Sequence, residues 1–333
     1  MTALKTQVVN LHGYNDKIRW LMKRLDLTNV RIFSAMQEFG PRNLLEVSRR
    51  TGIPFTSVYN RVNKLEATTG PLVHLNPMLS KLGLVSLTVL TNAKPGYEAE
   101  VEQALRTTGY CRAIARCEGG FTHHSEHAVP YVHIPQYRKY LKQISSKGLA
   151  TSSTILATND YRQNPINFHY YDAKLKEWRF RWARWLNGVL KQRPSGSIDQ
   201  PTFQTISFDS KDLISPYPAE MSAYYDLHVE FQNLTTLKRF YAYISELFFI
   251  VGFSKVLKHD SMLLRVYILE SQVTSLFEFL SELCRRRFMK SYSAVRVVTG
   301  TEERMTISPE LFVDREGWRF VYNDSVSKLR QLA

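Results

Sequence analysis

The chain has 333 residues, 44% of them hydrophobic and 12% aromatic, which excludes wholesale disorder and makes two or three domains the expected organisation. Its 44 Lys and Arg against 30 Asp and Glu leave a net charge of +14, which favours a polyanionic partner. The longest apolar run, Leu247 to Gly252, is far short of the ~18 residues of a membrane helix, and Cys111, Cys117 and Cys284 form no CxxC pair. A cytoplasmic chain with no membrane partner, no disulfide framework and no zinc ribbon is expected; the N-terminus lacks the basic, apolar, small-residue order of a leader.

Ile18, Leu21, Met22 and Leu25 recur at helical spacing, flanked by Lys17, Arg19, Lys23 and Arg24. Val30, Ile32, Phe33, Met36 and Phe39 form the next stripe, ended by Gly40-Pro41. A short helix over Asn43–Arg50 turns Leu44, Leu45 and Val47 inward, and Thr51-Gly52-Ile53-Pro54 is a turn. Phe55 to Glu66 is a helix with Val58, Val62 and Leu65 as its stripe. Short helices joined by a Gly-containing turn, with a helix before them, make a helix-turn-helix. Its second helix enters the major groove, so Thr56, Ser57, Tyr59, Asn60, Arg61, Asn63 and Lys64 are the base-reading candidates. Asn pairs with adenine, and Arg or Lys with guanine or phosphate. Lys17, Arg19, Arg31, Arg42, Arg49 and Arg50 are the phosphate-positioning candidates.

The runs Leu25-Asp26-Leu27-Thr28-Asn29-Val30-Arg31-Ile32, Asn43-Leu44-Leu45-Glu46-Val47-Ser48-Arg49-Arg50-Thr51-Gly52-Ile53 and Val58-Tyr59-Asn60-Arg61-Val62-Asn63-Lys64-Leu65-Glu66 resemble the Lrp/AsnC family of transcription factors. That family's V-x-x-R-V-x-x-L-E recognition pattern stands here as Val58, Arg61, Val62, Leu65 and Glu66. Gly70-Pro71-Leu72-Val73 and Leu82-Gly83-Leu84-Val85 take the places of its wing and following strand. Pro54 departs from the usual Ser or Thr cap, and Thr56 or Ser57 partly substitutes. In the family pattern Arg61 also has a bracing role toward the wing.

Residues 82–182 read β-α-β-β-α-β, the ferredoxin-like plan: strands at Leu84–Thr91, Ala113–Arg116, Ala128–Ile134 and Thr154–Ala157, helices at Glu98–Arg106 and Gln136–Ser145. Strand-like residues continue from Phe168 to Trp182. Residues 223–322 repeat the order: Tyr224–Phe231, a helix over Leu234–Val251, Ser254–Lys258, Leu263–Leu269, a helix over Gln272–Met289, and Ala294–Thr299. The tails match as well, Asp172, Trp178, Arg179 and Phe180 echoing Asp314, Trp318, Arg319 and Phe320. The resemblance implies one such unit per chain, so the second suggests an internal pseudo-dimer, or a homodimer with two reading heads.

Net charge is +6 over residues 1–66, +9 over 67–193 and −1 over 194–333, so the cationic character belongs to the first two-thirds. Pro194, Gly196, Pro201, Pro216 and Pro218 make Arg193–Pro218 an irregular linker. The expected fold class is α+β: an N-terminal helix and winged helix-turn-helix over 1–78, a ferredoxin-like domain over 79–193, a linker over 194–218 and a second ferredoxin-like domain over 219–333. The family binds amino-acid effectors beside a glycine and an acidic residue after the second strand, which points to Glu118, Gly119 and Gly120; the second copy has His259-Asp260-Ser261 there, without glycine.

His123, His124, His127 and His133, with Cys117 or Glu126, could ligate a transition metal, but their spacing fits no ligand template. A solvated hairpin loop is expected, with no metal and no cofactor. The alternation Trp178-Arg179-Phe180-Arg181-Trp182-Ala183-Arg184-Trp185 reads as a half-buried strand, with stacking on bases or clamping of phosphates as the alternative. The sequence thus reads as a DNA-binding transcriptional regulator and not as an enzyme. The alternatives are an architectural DNA-binding protein and an enzyme like the siroheme decarboxylases, which resemble this family in architecture and would recruit Arg112, Arg116 and the histidines.

Overall fold

The computed structural model describes residues 8–10, 25–40, 43–69, 73–74, 79–164, 167–194, 213–214, 223–314, 316–320 and 322–332. After a short strand β1 (Val8–Asn10), helix α1 (Leu27–Phe39) starts at Asp26, whose carboxylate accepts the Asn29 N–H at 2.7 Å. Helix α2 (Leu44–Thr51) starts at Asn43 and ends at Gly52, whose φ of 67° is left-handed and suits glycine. That sharp stop lets α3 (Phe55–Thr69) turn back across α1 and α2. Ile32, Phe33, Met36, Val47, Val58, Val62 and Leu65 are buried together, because each helix presents its apolar stripe to the same centre. The short strand β2 (Val73–His74) follows.

The first ferredoxin-like unit comprises β3 (Leu84–Ala93), α4 (Glu98–Thr107), β4 (Cys111–Glu118), β5 (His123–Pro130), α5 (Ile134–Ser146) and β6 (Ala150–Thr158). Its antiparallel sheet has the order β6-β3-β5-β4. Strand alternation sends Val85, Leu87 and Val89 into a core with Val101, Leu105, Tyr137 and Leu141 of the helices. A tail follows: β7 (Arg162–Gln163), a hairpin of β8 (Tyr171–Asp172) and β9 (Glu177–Trp178), and α6 (Trp182–Lys191).

Strand β10 (Leu213–Ile214) pairs with β2 of the wing. The second unit then comprises β11 (Ala223–Phe231), α7 (Leu234–Tyr243), β12 (Ile250–Lys255), β13 (Ser261–Ile268), α8 (Val273–Arg285) and β14 (Met289–Val297), in the order β14-β11-β13-β12. Its tail repeats the first: β15 (Glu303–Met305), the hairpin β16 (Phe312–Val313) and β17 (Gly317–Trp318), and α9 (Tyr322–Leu332).

The tails are exchanged. The first tail pairs β7 with β12 and packs α6 on α7 and α8. The second pairs β15 with β4 and packs α9 on α4 and α5. Asn164, 3% exposed, anchors the first exchange by donating to the carbonyls of Ile244, Leu247 and Ile250 at 2.8–3.3 Å. The sheets also join edge to edge, β4 with β14 at one seam and Thr158 with Val256 at the other. Their helix-free faces meet between the seams, and β1 adds itself to β15.

Several elements depart from expectation. His123, His124 and His127 lie on strand β5 and are buried, not in a solvated loop; His127 bonds Tyr137 in the core, His124 approaches Asp226 of the second unit, and His123 Nδ1 bonds the neighbouring Thr122 hydroxyl. Phe168–Trp182 is not one strand but a 3-10 turn and a hairpin before α6, where Trp182, Trp185, Leu186 and Val189 follow helical spacing. The helix expected over Leu234–Val251 ends at Tyr243, because Ile250 and its successors are needed as an edge strand against β13. The linker, read as irregular, gives two residues to the wing.

Candidate functional site

Helix α3 is held by its buried stripe Val58, Val62 and Leu65, which leaves Thr56, Tyr59, Asn60, Asn63 and Lys64 exposed on the opposite side and Ser57 half-buried. Phe55 and Tyr59, 44% and 48% exposed, stack on each other with ring centroids 6.1 Å apart. The outward face is therefore polar and aromatic.

The arginines expected at DNA are engaged within the protein. Arg61 donates to Asp26 Oδ2 at 2.8 Å and to Asn29 Oδ1 at 3.0 Å, tying α3 to the start of α1. Burial would raise the Asp26 carboxyl, but its hydrogen bonds with Arg61 and the Asn29 N–H hold it below its ordinary range. Arg31 donates to the Thr51 carbonyl and closes the C-terminus of α2. Arg50 bonds Glu46 at 2.8 Å and lies 4.9 Å over the Phe39 ring, while Arg49 sits 3.7 Å from the same Glu46. Both remain exposed. Lys17, Arg19, Arg42 and the wing residues Gly70, Pro71 and Leu72 lie outside the described residues.

Glu118 ends β4, and Gly119 and Gly120 form the exposed turn that leads to β5. None of the three lines the cavity of about 210 Å³ that lies nearby, at the seam where the second tail crosses β4. Glu102, Arg106, Ile114, Ala115, Arg116, Gly300, Thr301 and Glu303 line it. Glu102 accepts from Arg116 Nε at 3.0 Å, and Arg106 donates to Glu303 at 2.7 Å. Behind Glu102, His123 is 1% exposed; its Nε2 lies 3.4 Å from Glu102 Oε1 but outside hydrogen-bond geometry. Burial lowers the His123 pKa, with Glu102 opposing. Arg106 Nε is likewise buried without a hydrogen bond.

The other histidines go elsewhere. His124 Nε2 lies 3.3 Å from Asp226 of the second unit. His127 bonds Ser125 Oγ at 2.9 Å and the Tyr137 hydroxyl at 2.6 Å, and burial drives its pKa down to about 3. His133 bonds the Trp318 carbonyl at 3.1 Å. Burial pushes the Cys111 and Cys117 thiols up to about 12. Among the described residues no three of His, Cys, Asp and Glu are grouped to hold a metal ion, and no helix is long and apolar enough to cross a membrane. Arg112 is on β4 facing Glu126, away from Arg116. Sequence reasoning missed Glu102, Arg106, Thr301 and Glu303; the i,i+4 spacing of Glu102 and Arg106 was legible, but the crossing of the second tail was not.

No family model and no curated protein matches the chain. The solved structure of the siroheme decarboxylase NirDL is similar along 96% of this chain and 98% of its own, at 9% identity and a TM-score of 0.45. E. coli AsnC is similar over 43% of this chain and 95% of its own, at 16% identity and a TM-score of 0.33. For B. subtilis LrpC the values are 40%, 94%, 18% and 0.31. The likeness is one of fold alone. It corrects one expectation: the sequence reads as not an enzyme, whereas the structure similar along nearly its whole length is that of an enzyme.

Proposed function

We propose that this chain is a DNA-binding transcriptional regulator of Lrp/AsnC type, with α3 in the major groove. The observation that carries this is the division of α3: one face buried as the stripe Val58, Val62 and Leu65, the other exposing Thr56, Tyr59, Asn60, Asn63 and Lys64. Asn60 and Asn63 match the N6/N7 edge of adenine, and the Phe55–Tyr59 stack offers apolar contact to a thymine methyl. Arg49 and Arg50 position phosphates, whereas Arg61 braces the unit. The reading unit spans 1–78, and the ferredoxin-like domains over 79–193 and 219–333, joined by 194–218, carry it as one head per chain.

The test is fluorescence anisotropy with duplex DNA titrated across salt, first on mixed sequence and then on a selected site. Affinity that falls steeply with log salt is expected. Asn60→Ala should lose about 1–3 kcal/mol on the selected site and little on random duplex. Equal losses on both would make the protein architectural. Absence of binding at low salt, despite the +14 charge, would end the DNA reading.

A second reading is favoured by the seam cavity, where Arg106 and Arg116 converge beside Glu102 and the buried His123. This is the enzyme alternative, acting on a carboxylated tetrapyrrole: the guanidiniums would hold carboxylates, and the cavity would have to widen beyond its ~210 Å³ to admit the macrocycle. Titration of the purified chain with siroheme decides it: a shifted visible spectrum that Arg116→Ala abolishes supports it, and an unchanged spectrum removes it.

A further inference from the structure

The strand registers relate the two units by an approximate two-fold axis. Thr88 faces Glu126 across β3 and β5, Asp226 faces Arg265 across β11 and β13, and in each unit the bulge of the first strand follows four residues later. Thr88 thus corresponds to Asp226, and Glu126 to Arg265. These last equivalents touch: Arg265 donates to Glu126. A residue that meets its own equivalent lies on the axis. A pair of first units would set Glu126 against Glu126, and a pair of second units Arg265 against Arg265. Like charges facing each other in a desolvated interface are strongly unfavourable, whereas the unlike pairing satisfies both.

The surroundings reinforce the sign. Arg265 is 7% exposed, with Asp226 Oδ1 3.4 Å from its Nε and the Tyr161 and Tyr224 rings 5.4 and 5.5 Å away. Arg112, His124 and Arg304 surround Glu126. Across the same interface His124 approaches Asp226. Size is complementary too. Ala115, Tyr224 and Val297 form one apolar cluster across the seam. The equivalents of Tyr224 and Ala115 are Ser86 and Ser254. A pair of first units would place Ser86 over Ala115 and leave the volume of the tyrosine empty.

We infer that Glu126 and Arg265, with His124 and Asp226 beside them, form a pairing code: the helix-free face of each unit accepts only the unlike unit. The chain closes on itself through this face and presents a single recognition helix; a second copy cannot join through a like pair of units and must use another surface.

The code is tested on the full chain. Val297 is the strand partner of Cys117, so Val297→Cys brings two thiols within disulfide reach only in the unlike pairing. This variant is refolded from denaturant over a range of concentrations and oxidised with diamide. The intrachain link from Cys117 to the introduced thiol is scored by peptide mapping, and mass by light scattering. With Glu126 and Arg265 in place, a monomer carrying the link is expected at every concentration. Adding Glu126→Gln with Arg265→Gln keeps both positions hydrogen-bonding but removes the charges; the link should fall several-fold and concentration-dependent dimers should appear. Glu126→Arg or Arg265→Glu alone should lower it further. The same yield and the same mass in the double-Gln chain would overturn the code and assign pairing to the exchanged tails.

Discussion

The two ferredoxin-like units share strand order and register yet fill their space differently. In the second, the core under the helices is aromatic: Trp178, Trp185, Phe180, Phe248 and Phe249 interlock, with Trp178 and Phe248 stacked at 4.6 Å. In the first, a polar relay runs through the core from Thr108 to the Tyr137 hydroxyl, to His127 and to Ser125. The seams differ in the same sense. Beside α4 the seam holds the charged cavity of about 210 Å³. At the equivalent place beside α7, Tyr241, Phe253 and Arg162 close the gap to about 10 Å³, and Arg162 donates to the Tyr241 hydroxyl. The fold needs only apolar volume and paired strands. Polar and charged groups kept inside the first unit exceed that need.

The largest effect should come from the aromatic half. Trp185→Ala, at a fully buried position, is expected to cost about 3–5 kcal/mol in a denaturant titration, against about 1 kcal/mol for Tyr137→Phe in the relay. Similar costs for both would remove the contrast between the cores. Next is Gly252→Ala, where a new methyl would run into the Tyr161 ring from the first tail; about 1–3 kcal/mol should be lost. The equivalent Ala113→Gly should cost under about 1 kcal/mol, and the reverse ranking would mean that the tails are not equivalently seated.

The relay also predicts a pH response. His127 titrates near 3 in the folded chain, against ~6.5 when unfolded, so the unfolded chain takes the proton first. Its contribution to stability is complete above pH ~6.5 and is lost toward pH 3 by up to ~1.4 kcal/mol per pH unit. His123 and His228, both lowered by burial, act in the same direction. Unfolding midpoints between pH 6.5 and 5 should therefore fall, less steeply in His127→Gln. An identical slope in that variant would show that the relay histidine does not set the response. The smallest effect belongs to Arg61→Ala. Its pair with Asp26 is about half exposed, so about 0.2–1 kcal/mol of stability is at stake, with a similar loss of affinity on every duplex. A loss confined to one DNA sequence would return Arg61 to base reading.

The helix-turn-helix was legible in the sequence because it is local. Asp26, Asn43, Gly52 and the stripes of α1 to α3 act within a few residues of themselves, and helix periodicity reports them directly. Both βαββαβ orders were legible for the same reason, through alternating strands and amphipathic helices. The histidines of β5 misled because a run of polar side chains has no apolar alternation, and burial there rests on Tyr137 and Asp226 from other elements. Trp182 and Trp185 misled because an alternating aromatic–arginine run fits a period of two as well as a period of three or four.

By itself the sequence determined the α+β class, the helix-turn-helix, the doubled unit and the cationic first two-thirds. Those follow from periodicity, caps and composition, each a property of neighbouring residues. Only the tertiary structure decided that the tails are exchanged, that Arg61 turns inward to Asp26, that Glu126 meets Arg265 and that one seam is open while its equivalent is closed. These contacts join residues 35 to 197 positions apart, as Arg61 with Asp26 and Arg106 with Glu303 show, and no short-range pattern encodes which distant charge a side chain will face.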